Sequence, residues 1–247
     1  EEMEEVSALA LEPEKPRIIE LSIDQLKKLD KNVKNNCLKS SITLIKIFNS
    51  VFLNAKLQRT AYSYSISKVS QMNMILDLFL ISLPISISVH KENKKGGILL
   101  LNYSKSLIKY IDSIFDQSIL PFILQKLKGI SQLYSNKDTL FNKLIKVIID
   151  IWGVKDDFKS KFYSYTLIKE FLSNGKDEQK QFIFKRTLKS YLNFTSNMSW
   201  RTFSNVVFMR NCFADMVLDD SDGSFVILFE FLKNNIEKYI NVSKDRV

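Results

Sequence analysis

The chain has 247 residues but only one histidine, His90, and two cysteines, Cys37 and Cys212. These are the side chains a zinc site or a nucleophilic centre draws on, and they are too few for the usual four-ligand zinc site. His90 stands before Lys91 and Glu92 at the end of an apolar helical run, where the helix dipole favours a cation. The stretch Asp219–Asp220–Ser221–Asp222–Gly223 resembles the start of a calcium loop. It lacks the full ligand series and the closing Glu, so helix capping is the better reading. Asp156–Asp157 and Asp177–Glu178 stand at helix starts in the same way. Gly96–Gly97 is followed by no Lys-Ser/Thr pair and so does not match a phosphate loop. No catalytic cluster, cofactor site or metal site is expected.

The remaining chemistry is charge and aromaticity. The net charge is +9, and it is uneven. The first fourteen residues, EEMEEVSALALEPE, hold six Glu and no Lys or Arg, which leaves 21 acidic against 36 basic residues, a net +15, on the rest. A basic body with an acidic arm suits an anionic partner such as RNA. The lysines are dispersed, which equally suits an ordinary solvated surface. Between residues 158 and 171, Phe158, Phe162, Tyr165 and Phe171 alternate with Lys159, Lys161 and Lys169. Exposed rings there would stack on bases, but the helical spacing assigns them to a core. Lys185, Arg186 and Lys189 follow as candidate RNA contacts.

The elements that carry these residues read as helices. Gly (6) and Pro (4) are scarce, which long helices tolerate and sandwiches do not. Residues 1–17 read as an acidic extended arm and 18–247 as a single helical-repeat domain. Ser22 with Gln25 has capping-box spacing. The stretch LQRTAYSYSIS reads as a polar loop. The apolar run near Pro84 is interrupted by Asp77 and Pro84 and reads as short of a membrane span, with its helix kinked or ended at the proline. HKENKKGG reads as a flexible loop. Seven helical runs follow, separated by short polar breaks. Asp138, Asp156, Asp177, Ser199 and Ser221 are placed to cap the helices after those breaks. Hairpins recur at roughly 35–45 residues, the range of HEAT and armadillo repeats. The expected fold is therefore all-α: a HEAT/armadillo-like solenoid of antiparallel helix hairpins, stacked right-handed, with no sheet. A globular helical bundle is the alternative. Phe208, Phe229 and Leu232 are expected in the core between the last two helices. The acidic start lacks the basic-then-apolar pattern of a secretory signal, and two isolated thiols suit a reducing interior.

From residue 181 onward the chain resembles the nucleolar complex protein 2 family, helical-repeat assembly factors of the large ribosomal subunit. Tyr191 and Asn193–Phe194 match the family's first helix, and Phe208–Met209 match the start of its second. Asp215 stands where the family has Glu, and Asp220 matches its acidic turn. Phe225, Phe229, Phe231, Leu232 and Lys233 then fall, without a gap, on the Tyr, Phe, Tyr, Ile and Arg positions of the next helix. The step ending at Trp152 and the opening helices from residue 18 extend the resemblance more diffusely. The family's Arg-Gln-Leu-Ala is replaced by Lys233–Ile236, and its further C-terminal repeats have no counterpart, so a trimmed or reduced member is expected. The resemblance implies a non-enzymatic nuclear and nucleolar scaffold. It would pair with a related nucleolar complex protein as a heterodimer and accompany pre-ribosomal particles, with RNA contact secondary. Phe208, Met209, Asn211, Asp215, Phe231 and Lys233 are then the candidate partner-binding residues. A generic helical-repeat adaptor for transport or trafficking, without RNA, is the other reading.

Overall fold

A computed structural model of the chain describes residues 17–53, 62–114, 118–196, 199–200, 202–219 and 221–244. The acidic arm, apart from Arg17, lies outside these residues. The fold is all-α. Its helices are α1 (Ile23–Lys34), α2 (Leu38–Phe52), α3 (Val69–Asp77), α4 (Leu83–His90), α5 (Lys94–Ser113), α6 (Ile119–Lys126), α7 (Asp138–Val154), α8 (Phe158–Asn174), α9 (Asp177–Ser196), α10 (Phe203–Asp219) and α11 (Ser221–Lys244). Buried apolar residues form one continuous cluster that runs from Leu21 to Ile227.

One feature departs from the expected absence of sheet. β1 (Arg17–Glu20) and β2 (Tyr62–Ser65) pair in parallel, with Ile19 opposite Tyr64. β2 lies within the stretch that reads as a polar loop. Four-residue strands carry too little alternation to stand out, and their pairing is set by what holds their ends. Leu21 N–H donates to Ser65 O at 3.0 Å. Gln71 Nε2 donates to Leu21 O at 2.7 Å, while its Oε1 accepts from the Ser67 and Lys68 amides. One buried glutamine thus ties the end of β1 to the start of α3.

α1 begins as its sequence dictates, with the Ser22–Gln25 capping box formed in both directions. Other caps shift by a residue. Asp157, not Asp156, caps α8 by accepting from Lys159 and Ser160 amides. Lys137 is the N-cap of α7, and Asp138 instead accepts from Gln179 Nε2 at 2.8 Å. Ser199 lies in a turn ahead of α10, bonded to Thr202.

Pro84 does not end its helix. Between α3 and α4 the helix widens into a π segment, Leu78–Ser82, in which Leu83 N–H reaches Leu78 O. That wider turn sits just ahead of the proline and lets the helix continue. The result is one helical run, Val69–His90, long and apolar enough to cross a membrane by length and composition, which corrects the reading that it falls short. Half of its apolar window is buried inside the fold, as in the core helix of a globular domain. Gly96 and Gly97 are likewise not in a loop but in the first turn of α5. A Cβ at Gly96 would lie 1.7 Å from the His90 carbonyl oxygen, so glycine is what lets α5 start so close to the end of α4.

The N-terminal half closes on a cluster of rings. Phe48 and Phe79 stack with centroids 3.5 Å apart, and Tyr103 and Tyr110 pack against them at 4.9 and 5.1 Å. In the C-terminal half, contacts run between near neighbours along the chain. α7 packs on α8 and α9, α10 on both α8 and α9, and α11 on α9 and α10. Phe171 is buried as expected, but Phe158 and Phe162 are exposed; the inner face of α8 is Leu167, Ile168, Phe171 and Leu172, with Lys161 and Ser164 completing it. Phe208 is half-buried, whereas Phe229 and Leu232 face solvent, which corrects their expected place in the core. Phe79→Ala is expected to lower unfolding free energy by about 3–5 kcal/mol, and Ile85→Ala, exposed on the same helical run, by less than about 0.5 kcal/mol. Denaturant midpoints measure both; equal midpoints for the two variants would remove the ring cluster from the core.

Candidate functional site

The C-terminal half is organised around a buried cation. Lys161 on α8 is fully buried. Its Nζ donates to the Trp152 carbonyl at 2.8 Å, lies 3.4 Å from Met209 Sδ, and sits 4.2 Å from the centre of the Phe194 ring. Residues from α7, α8, α9 and α10 therefore converge on one ammonium group. Trp152 stands in the last turn of α7, where carbonyls have no partner within the helix and the dipole favours positive charge. Burial pushes the Lys161 amine down to about 8, with the Asp156 carboxylate acting in the opposite direction. The Cys212 thiol, buried in the same region, is pushed up to about 12 by desolvation.

Outside this centre lies a polar clasp between α8 and α10. The Tyr165 hydroxyl donates to Asp215, and Lys169 Nζ donates to Asp215 at 2.9 Å and pairs with Asp219 at 2.8 Å. The two carboxylates raise the Lys169 pKa, and Tyr165 and Lys169 hold the Asp215 carboxyl below its usual range. Phe208 closes the clasp against Phe158, with ring centres 4.8 Å apart, and against Tyr165.

This geometry sorts the candidate partner residues. Met209 is buried against Lys161, so its role is in the core. Asp215 is accessible, but its carboxylate is engaged within the chain. Phe208 and Phe231 are half-buried. Asn211, beside Arg210, and Lys233 are exposed. The six do not form one surface patch.

The candidate RNA contacts lie along α9, beside a cleft of about 460 Å³ between α7 and α9. Arg186 and Lys189 line it together with Asp150, Ser190 and Phe194. The helices approach closely because residue 153 is glycine; a Cβ there would lie 1.9 Å from Ser190 Oγ. Arg186 pairs with Asp150 at 2.7 Å, and Lys185 pairs with Glu230 at 3.6 Å. Among the described residues Lys189 has no ion-pair partner, and it is the cation of the three left for an anion. His90 is used locally: its Nε2–H donates to the Asn36 carbonyl at 2.7 Å, which ties the end of α4 to the turn after α1. Among the described residues no group of three or more His, Cys, Asp or Glu could hold a metal ion.

The sequence sets Lys161 among the lysines open to phosphates, and its burial corrects that; Asn205 and Asp150 carry no such signal. Lys161 was legible in principle, because it shares one helical face with Ser164, Ile168 and Phe171, and two of the four are core types. Asn205 Nδ2 donates to the Asp156 carbonyl, and Asp150 meets Arg186 across 36 residues; neither contact leaves a local signal. No protein-family model and no curated protein matches this chain.

Lys161 sets a pH dependence. Its pKa is about 8 in the folded chain against 10.5 when solvated, so between these values the unfolded chain holds more protons. Stability therefore rises with pH across that window. From pH 8 to 9 the wild type is expected to gain about 1 kcal/mol relative to Lys161→Met, measured by urea unfolding at each pH. The Cys212 thiol is common to both proteins and cancels. Parallel pH profiles for the two would show that the amine is not buried in its charged form.

Proposed function

We propose that this chain is a non-enzymatic helical scaffold of large-ribosomal-subunit assembly. It binds a related nucleolar complex protein and accompanies pre-ribosomal particles in the nucleus and nucleolus. Support for the scaffold reading rests on one observation: large apolar side chains stand exposed on the C-terminal helices. Phe158 and Phe162 on α8, Phe203 and Leu218 on α10 and Phe225 on α11 all do so. Scattered single residues of this kind are normal, but several on adjoining helices mark an interaction surface. The ribosomal context rests on the sequence resemblance over residues 181–240. RNA contact is secondary and electrostatic, and it centres on Lys189.

Purification of the tagged chain from its own cells, with protein and RNA both identified, tests the proposal. The expected result is a related helical-repeat nucleolar protein together with large-subunit precursor RNA. Transport or trafficking proteins without RNA would replace the proposal with the generic adaptor reading.

The RNA component has its own signature. Counterion release makes binding salt-sensitive, so each phosphate contact to a single strand gives about a 3-fold loss of affinity between 50 and 200 mM salt. Lys189→Glu is expected to weaken RNA binding more than Lys185→Glu, because Lys185 is already opposed by Glu230. A filter-binding salt series on wild type and both variants decides this. Equal effects of the two substitutions would remove Lys189 from the contact.

A further inference from the structure

A groove of about 280 Å³ lies between the Val69–His90 run and the segment that follows α6. Ile81 and Ile85 line it, 41% and 63% exposed and one helical turn apart. Lys91, Lys126 and Lys128 line it as well, and none of its described lining residues is acidic. Lys126 is already answered by Asp77 at 3.2 Å. Lys91 and Lys128 have no ion-pair partner among the described residues. Glu92, next to Lys91, is exposed and does not line the groove. The site therefore offers an apolar wall and two uncommitted cations. It suits a segment that carries acidic and apolar side chains together.

This chain holds such a segment. Its first fourteen residues carry six Glu and no Lys or Arg, interleaved with Met3, Val6, Leu9 and Leu11. They lie outside the described residues, but the point where they join the fold does not: Arg17 opens β1. The path from Arg17 along β1 to Leu21, across the Gln71 side chain and along the helical run to Ile85 is at most about 45 Å, from the rise per residue of strand and helix. The direct distance is shorter, because α1 packs on α4. An extended chain from Arg17 back to Met3 spans up to about 46–50 Å, so the Glu1–Glu5 stretch reaches the groove. A tether of this length also keeps the segment at a local concentration on the order of mM. A concave site suits a chain segment more than a flat anionic lipid surface.

We propose that the acidic segment, residues 1–14, docks in this groove of its own chain, with Met3 against Ile81 and Ile85 and glutamates of the Glu1–Glu5 stretch paired with Lys91 and Lys128. The inference is independent of the ribosomal reading, because it rests on the groove, its free cations and the reach of the segment alone.

Zero-length carbodiimide cross-linking of the full chain, which joins a carboxylate to an amine in direct contact, tests it when followed by peptide mapping. Links from the Glu1–Glu5 stretch are expected at Lys91 and Lys128 in preference to Lys185 and Lys189. Ile85→Glu is expected to cut the yield of these links at least about 5-fold, since it removes an apolar contact and adds a repelling charge. Thermal unfolding of that variant should match wild type, because Ile85 is exposed. Links spread over the lysines without preference, links gathered at Lys189, or links indifferent to Ile85→Glu each overturn the proposal. A mixture of isotope-labelled and unlabelled protein separates links within one chain from links between two, and the second result moves the segment to another copy and overturns it. If the segment gives no links, the proposal fails; phosphatidylserine vesicles that then sediment the wild type but not Ile85→Glu would assign the groove's apolar wall to a lipid surface instead.

Discussion

The C-terminal half depends on satisfying backbone carbonyls at the end of α7 inside a dry core. The chain turns back within Lys155–Asp157, and Trp152, in the last turn of α7, is fully buried, while Val154 after it stays exposed. Buried carbonyls without partners are costly. Two side chains from later in the sequence answer this: Lys161 reaches back to the Trp152 oxygen, and Asn205 to the Asp156 oxygen. Burying an ammonium is itself expensive, and three features offset the cost here. The helix end supplies partial negative charge, the Phe194 ring supplies its face, and Asp156 supplies a nearby carboxylate. The same charge fixes the relative placement of α7, α8, α9 and α10, because each contributes one part of its surroundings.

The N-terminal half meets an equivalent constraint with neutral groups. Gln71 closes the strand pair onto α3, and Ser41 and Ser86 share a buried hydrogen bond between α2 and α4 at 3.0 Å. Ser104 and Tyr134 do the same between α5 and the turn ahead of α7, at 2.9 Å. Glu170 on α8 accepts from the Gly129 and Ser131 amides, and so fixes the segment after α6, whose sharp reversal needs the positive φ of Gly129. Apolar burial drives both halves together, and these polar contacts choose one packing among many that would bury similar area.

How much of this was legible follows from how far each signal reaches along the chain. Helical periodicity is local, and so the helices, most of the breaks and the Ser22 cap could be read. The π segment was not legible, because a proline signals a break and the widened turn that accommodates it has no composition of its own. The parallel strand pair was not, because its two strands lie more than forty residues apart and are too short to alternate. The candidate RNA cations were legible as charges but not as paired charges, since Asp150 and Glu230 lie on other helices. The candidate partner residues were chosen along one sequence motif. A motif mixes buried and exposed positions of the same helix, which is why Met209 is buried and Asn211 exposed on α10.

The expectation that Phe229 and Leu232 are core residues erred for a reason that bears on the whole C-terminal end. Periodicity shows that a residue is on an apolar face, but not which of two apolar faces the fold consumes. α11 has both, and α9 and α10 cover only the one that carries Ile227. Ordinary surface helices separate one apolar face from one polar face. α11 departs from that pattern, because among the described residues its second apolar face is left exposed. Phe225, Phe229 and Leu232 stand exposed there, and their four-and-three spacing is the one a neighbouring helix packs against.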